Sequence, residues 1–235
     1  VLHTALRLRP YYGKAYFNLG RMYLELGQEE EAWKHFKKAT EGDLDNTDGF
    51  LTFGQISLKL KKYEDAVKAF EVALSRGTKT DQVLFNLANA YYMVKRHDDA
   101  AKLFKRLVAA YPTEPRFIYN YGETLFAQRK YQEALPILNK ARTIPNAAPQ
   151  AHLRYAHCLE RLNKFEESKA VLHVIADMPS APDQIKKIAQ GEIGRINLQE
   201  KINSSSKKGG ISLTMGEINK ILRGGNSDMT VSTTG

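Results

Sequence analysis

The sequence predicts an all-α protein built from stacked helical hairpins, an α-solenoid. Three residue series that each advance by 34 positions support this prediction. The series are Gly20, Gly54, Ala88, Gly122 and Ala156; then Ala32, Ala66, Ala100, Ala134 and Ser168; and then Phe36, Phe70, Phe104, Leu138 and Leu172. The small residues are expected to let two helices approach closely, while the bulky residues fill the remaining space.

Each unit is predicted to be a pair of antiparallel helices joined by a tight turn. In the first unit, apolar residues recur at helical spacing on both sides of a polar break at residues 26–28. Gly27 in this break can adopt the left-handed conformation that ends a helix. The second and third units break at residues 61–63 and 95–97 without glycine. The turn there is therefore expected to accept a residue with a side chain.

The repeated unit resembles the tetratricopeptide repeat, most fully at residues 15–39 (AYFNLGRMYLELGQEEEAWKHFKKA), 83–104 and 117–138. The resemblance implies a right-handed superhelix in which the first helix of each repeat lines a concave groove. Five full repeats are predicted, at 13–46, 47–80, 81–114, 115–148 and 149–182. Residues 1–12 resemble the second helix of a preceding, truncated repeat, because Leu2 lies 34 positions before Phe36. The fifth repeat departs most, with Ser168 in the usual alanine position.

Residues 183–202 are predicted to form a capping helix, which protects the apolar end of such an array from aggregation. Asp183 is expected at its N-cap. Gly191 and Gly194 each weaken the helix by about 1 kcal/mol relative to alanine. The predicted apolar face consists of Ile185, Ile188, Ala189, Ile193 and Ile196.

The C-terminal segment is predicted to contain a short amphipathic helix at residues 211–224. It lies between a flexible linker at 203–210 and a disordered tail at 225–235. Thr214 and Glu217 form a capping box, and the apolar face holds Leu213, Ile218, Ile221 and Leu222. A helix of this length is marginal by itself. Three readings remain open: it docks on this chain, it binds another protein, or it stays solvated.

The first helices predict a peptide-binding groove. Two positions before the first small residue stand Asn18, Thr52, Asn86, Asn120 and Arg154. An asparagine amide offers both a donor and an acceptor, so a ladder of asparagines can hold the backbone of an extended peptide. This pattern is similar to the asparagine ladder of peptide-binding tetratricopeptide superhelices, including those of the nucleocytoplasmic O-GlcNAc transferase family. The alternative is that the asparagines bond to a neighbouring helix.

Further side chains are expected to flank this ladder. The apolar ones are Phe17, Phe85, Tyr92 and Tyr119, and the polar ones include Arg21, Asn89 and His157. The apolar residues form a trough for hydrophobic side chains or for an amphipathic helix. The same places are often aromatic in this family for packing alone, so some of them are expected to lie in the core.

A carboxylate-binding site similar to that of one class of tetratricopeptide co-chaperones is not predicted. That mechanism uses a Lys and an Asn one turn apart, then an Asn, then a Lys and an Arg one turn apart. The corresponding places here hold Phe17 and Arg21, then Thr52, then Gln82 and Asn86.

Composition and motifs narrow the function. The net charge of +9 is spread along the chain without a dense basic run and interleaved aromatics, so no nucleic-acid partner is expected. No segment approaches the ~20 apolar residues of a membrane helix. HExxH, a phosphate-binding glycine loop and a nucleophile elbow are missing, so neither catalysis nor a cofactor or metal is expected. The single cysteine, Cys158, is expected to be a packing residue, and such cysteine usage favours a cytoplasmic location.

The predicted function is that of a non-catalytic scaffold or adaptor for protein–protein interaction, binding extended or helical peptide segments in the groove. Two alternatives remain. The chain is the substrate-recruiting repeat region of a larger enzyme such as a glycosyltransferase, or it is a scaffold that assembles with copies of itself.

Overall fold

The computed structural model describes residues 12–42 and 46–207. Within these residues the chain forms eleven α-helices and no strand, so the all-α prediction is confirmed. The helices are α1 (Gly13–Glu25), α2 (Glu29–Glu41), α3 (Thr47–Lys59), α4 (Tyr63–Ser75), α5 (Asp81–Met93), α6 (His97–Ala110), α7 (Pro115–Ala127), α8 (Tyr131–Thr143), α9 (Pro149–Arg161), α10 (Phe165–Asp177) and α11 (Asp183–Lys207).

The chain divides into two compact units, Val1–Ala147 and Ala148–Gly235. The first unit contains α1 to α8, and each helix from α1 to α7 packs on the next one along the chain. The second unit contains α9 to α11, in which α10 packs on both α9 and α11. Both units are therefore built from antiparallel neighbouring helices, as expected for helical hairpins.

The helices keep the register of the sequence pattern. The odd-numbered helices from α1 to α9 begin at Gly13, Thr47, Asp81, Pro115 and Pro149, and the even-numbered ones from α2 to α10 begin at Glu29, Tyr63, His97, Tyr131 and Phe165. Both series advance by 34 residues. This regularity requires that every turn between the two helices of a pair has the same length and geometry.

The turns owe this regularity to one left-handed residue at the same place in each pair. The residues are Gly27, Lys61, Lys95, Arg129 and Asn163, with φ values of 71°, 59°, 64°, 62° and 59°. In the second pair the N–H of Lys61 donates to the carbonyl of Leu58 at 3.0 Å, and the N–H of Lys62 donates to that of Ser57 at 2.8 Å. These two bonds form a Schellman motif, which satisfies the carbonyls at the end of the helix. The expectation that this turn accepts residues with side chains is confirmed.

The buried interior is formed by the predicted small and bulky residues. Phe36 and Phe70 are fully buried, and so are Ala66 and Ala134. The serine that replaces alanine in the fifth repeat has a polar role as well as a small size. Ser168 is buried, and its Oγ donates to the backbone carbonyl of Ala156 across the α9–α10 pair at 2.9 Å.

Helix α11 packs on α9 and α10 through four of its five predicted apolar residues, Ile185, Ala189, Ile193 and Ile196. The prediction was wrong for the fifth, Ile188, which is 39% exposed. It was also wrong about the two ends of the helix. Asp183 is the first helical residue rather than the N-cap, and its negative charge there interacts favourably with the helix dipole.

The helix also continues to Lys207, through residues assigned to a linker that begins at 203. Asn and Ser cost only a fraction of a kcal/mol each in a helix interior, and no glycine or proline occurs between Gly194 and Gly209. Four predicted segments lie outside the described residues. They are the helix at 1–12 (apart from residue 12), the rest of the linker, the short helix at 211–224 with Leu213, Ile218, Ile221 and Leu222, and the tail at 225–235.

Candidate peptide-binding surface

The predicted groove residues of the first unit share one side of its odd-numbered helices. We call this side the ladder face, defined by Asn18 of α1, Thr52 of α3, Asn86 of α5 and Asn120 of α7. Helix α5 packs on both α3 and α7, and α1 and α3 together line one pocket. The ladder face therefore continues from α1 to α7.

The ladder residues bond within their own helices, one turn back. Gln82 Nε2 donates to Asn86 Oδ1 at 2.9 Å, and Asn120 Nδ2 donates to the carbonyl of Arg116 at 2.7 Å. The Thr52 hydroxyl likewise donates to the carbonyl of Asp48 at 2.8 Å. These bonds orient each side chain and engage one end of each amide. Asn86 Nδ2, a donor, and Asn120 Oδ1, an acceptor, have no hydrogen-bond partner among the described residues.

Asn18 and Arg21 of α1 are exposed, whereas Asn86, Asn89 and Asn120 are half-buried. The hydrogen bonds of Asn86 with Gln82 and of Asn120 with Arg116 are nonetheless exposed to solvent.

The aromatic residues of the ladder face are half-buried and pack on the core with one side. The ring of Phe17 lies 5.5 Å from that of Phe36. The ring of Phe85 lies 6.0 Å from that of Phe104 and 5.3 Å from that of Phe117, which belongs to the next repeat. These aromatics both support the stack and present an apolar edge at the surface.

Tyr92 connects two repeats directly. Its hydroxyl donates to Glu123 Oε1 of α7 at 3.1 Å, and its ring lies 5.2 Å from that of His97. Tyr119 of α7, predicted to flank the ladder, is also half-buried. The middle of the ladder face therefore combines amide groups with aromatic rings that are held in place by neighbouring repeats.

Arg154 and His157 belong to α9 of the second unit, so they are described separately. Both are half-buried. Helix α11 covers this side of α9: Arg195 of α11 pairs with Glu160, and His157 Nε2 lies 3.8 Å from Glu192 Oε1. Burial lowers the pKa of His157 despite the nearby Glu192 carboxylate. His157 therefore contacts the capping helix, and this contact corrects its predicted role as a polar residue of an open groove.

A pocket of about 450 Å³ lies where the first two repeats meet. Helix α1 contributes Phe17, Arg21, Leu24 and Glu25. The start of α3 contributes Asn46, Asp48 and Thr52. Asn46 is the N-cap of α3, since its Oδ1 accepts the N–H of Asp48 at 3.0 Å.

Sequence reasoning missed Glu25, Asn46 and Asp48 as pocket residues. It searched for positions that keep the same residue type in successive repeats, whereas these three change from one repeat to the next. A comparison of the charges at each junction between repeats is the signal that would identify Glu25 and Asp48.

Two further properties bear on function. Among the described residues, no group of three or more His, Cys, Asp or Glu side chains is arranged to hold a metal ion. None of the helices in residues 12–42 and 46–207 combines the length and the apolar character needed to cross a membrane.

The fold and the ladder face define a helical-repeat protein of the tetratricopeptide type, and comparison with family models agrees. The model for anaphase-promoting complex, cyclosome, subunit 3 matches residues 93–175. Two tetratricopeptide-repeat models match residues 51–115 and 4–34. The chain is a member of the tetratricopeptide-repeat family.

Solved structures of tetratricopeptide proteins share this fold. A chain of MamA from Desulfovibrio magneticus RS-1 (residue 41 to the end) matches with a TM-score of 0.63 and 17% identity, over 73% of this chain and 97% of that MamA chain. YrrB, described as a TPR protein with an unusual peptide-binding site, matches with a TM-score of 0.62 and 17% identity, over 81% of this chain and 97% of YrrB. At this identity the likeness shows the fold alone. A search of curated proteins found no match.

Proposed function

We propose that this chain is a non-catalytic protein-interaction module whose first unit binds an extended peptide segment along the ladder face. The observation that carries this proposal is the pair of half-engaged amides on Asn86 and Asn120. Each is oriented by a bond to its own helix and keeps one polar end toward the surface.

The chemistry of an extended peptide fits this arrangement. Such a backbone presents N–H and C=O groups at about 3.3 Å per residue, and none of them is used by internal secondary structure. Asn86 Nδ2 meets a carbonyl of the peptide, and Asn120 Oδ1 meets an N–H. The half-buried rings of Phe85 and Tyr92 contact apolar side chains between these bonds.

The comparisons support this proposal in two ways. YrrB, which shares the fold, is described as having a peptide-binding site. The family match over residues 93–175 is to a subunit of a larger complex, which favours a scaffold within an assembly. The recruiting region of a larger enzyme and the self-assembling scaffold remain the two rival functions.

A capture experiment tests the proposal. The full chain and the Asn86→Ala/Asn120→Ala variant are immobilised, and bound proteins are identified by mass spectrometry after crosslinking. Gln190→Ala/Asn197→Ala is a matched control, because it removes two exposed amides from α11 in the other unit. Circular dichroism checks that all three proteins are folded.

We expect partners that are retained by the wild type and the control and lost from the ladder variant. Two hydrogen bonds at about 0.5–1.5 kcal/mol each correspond to a loss of affinity of roughly five- to 150-fold. Equal capture by all three proteins would overturn the proposal. Capture of this same chain by the wild type alone would favour self-assembly.

A further inference from the structure

The pocket between α1 and α3 has a charge pattern that distinguishes it from the rest of the ladder face. Its volume of about 450 Å³ lies within the ~300–1,000 Å³ typical of ligand sites. Phe17 and Leu24 give it an apolar wall, and both are half-buried. Two carboxylates, those of Glu25 and Asp48, face the same space.

Both carboxylates are exposed, and neither has an ion-pair partner among the described residues. Arg21 stands one turn before Glu25 on the same helix, and it too forms no ion pair there. Two nearby carboxylates, by contrast, form ion pairs. Glu29 is paired with Lys59, and Glu30 Oε2 lies 3.5 Å from Lys62 Nζ. With Arg21 counted, the pocket keeps one net negative charge.

The corresponding places at the next two junctions carry no carboxylate. Lys59 and Met93 stand where the first junction has Glu25, and Gln82 and Arg116 stand where it has Asp48. Lys59 is paired with Glu29, and Arg116 Nε lies 2.9 Å from Glu114 Oε1. The unsatisfied acidic pocket is thus particular to the junction of α1 and α3 within the first unit.

We infer that this pocket binds the side chain of an arginine or a lysine in the peptide held by the ladder face. The inference rests on the proposed function. The aliphatic stem of such a side chain packs on Phe17 and Leu24 while its charged head reaches water and carboxylate. The head forms charge-assisted hydrogen bonds with Glu25 and Asp48, which are stronger than neutral ones. Arg21 opposes the incoming charge.

A positional-scanning library tests this inference. The probe is a set of acetylated, amidated nonapeptides in which one position is fixed and the others are random. The fixed residues are Arg, Lys, citrulline, Gln and Glu, and citrulline has nearly the shape of arginine without its charge. Binding is measured to the full chain and to four variants: Glu25→Gln, Asp48→Asn, Arg21→Gln and Asn86→Ala/Asn120→Ala.

At one position of the peptide we expect Arg and Lys to bind about tenfold more tightly than citrulline or Glu, as for a charge-assisted contact. Glu25→Gln and Asp48→Asn should each reduce this preference, while Arg21→Gln should increase it. The opposite signs of these effects separate a charge contact from a general loss of folding. Raising the salt concentration should weaken the preference in the wild type, since the pocket is open to solvent.

The outcomes distinguish the inference from the proposed function. Peptides that depend on Asn86 and Asn120 but show no preference for a basic residue would overturn the inference alone. A basic preference that survives both Glu25→Gln and Asp48→Asn would also overturn it. A basic preference that needs Glu25 and Asp48 while the ladder variant binds normally supports the pocket and overturns the ladder. Binding that depends on neither set overturns both.

Discussion

A β-carbon on Gly54 would lie 2.7 Å from Cε1 of Phe70, closer than real side chains approach one another. Gly20 has the same relationship with Phe36, and Gly122 has it with Leu138, both at 2.7 Å. The expected reason for these glycines was the close approach of two helix backbones. The closest atoms instead belong to the bulky residue of the partner helix, so glycine makes room for that side chain.

Gly54→Ala should lower the free energy of unfolding. Overpacking costs about 1–3 kcal/mol, and the better helix propensity of alanine returns about 1 kcal/mol of this. Gly191→Ala is the matched control, because its new β-carbon meets nothing within 4 Å. The free energy of unfolding of the control should rise by about 1 kcal/mol. Urea denaturation followed by circular dichroism measures both variants, and equal stabilisation by the two would refute the steric explanation.

Lys61→Gly, Lys95→Gly and Arg129→Gly should each stabilise the protein. These residues have φ values of 59°, 64° and 62°, and a side chain in the left-handed region costs about 1–2 kcal/mol. The expected gain is about 1 kcal/mol per site, measured by the shift in the urea midpoint.

Lys68→Gly controls for the loss of an exposed lysine, since Lys68 lies within α4 and is exposed. The free energy of unfolding of Lys68→Gly should fall by about 1 kcal/mol. Gly27→Ala should also destabilise, since Gly27 has a φ of 71° and nothing lies near its added methyl group. A destabilising effect at all three left-handed sites would contradict the prediction.

Cys158 should resist thiol reagents in the folded protein. Its side chain is fully buried, and burial raises the pKa of the thiol to about 11. The reactive thiolate is therefore scarce at neutral pH and shielded from reagents. Ellman's reagent should label it only after denaturation in guanidinium chloride. Asn197→Cys, at an exposed position of α11, should be labelled at once in the native state. Labelling of Cys158 at the same native rate would refute its packing role.

Much of the fold followed from the sequence because it depends on contacts within one repeat. The 34-residue spacing predicted the helix pairs, and the polar breaks predicted turns that accept Lys61 and Lys95. The end of α11 was harder to place, because Asn and Ser neither favour nor strongly oppose a helix. Ile188 was misjudged because its burial depends on which face of α11 meets α9 and α10.

The candidate site followed from the sequence less fully. Periodicity aligned Asn18, Asn86 and Asn120, since these residues recur with the repeat. It gave no information on which amide atoms are already bonded to Gln82 and Arg116. It also placed His157 in an open groove, although α11 covers this residue.

The sequence by itself determined the repeat length, the hairpin of each repeat and the positions of small and bulky residues, because these are properties of short stretches of chain. Only the tertiary structure decided how residues of separate repeats meet: the bond from Tyr92 to Glu123, the covering of α9 by α11, and the pocket where Glu25 faces Asp48. Such contacts depend on the angle and offset between helices. Those are set by side-chain packing across the whole interface rather than by any single sequence position.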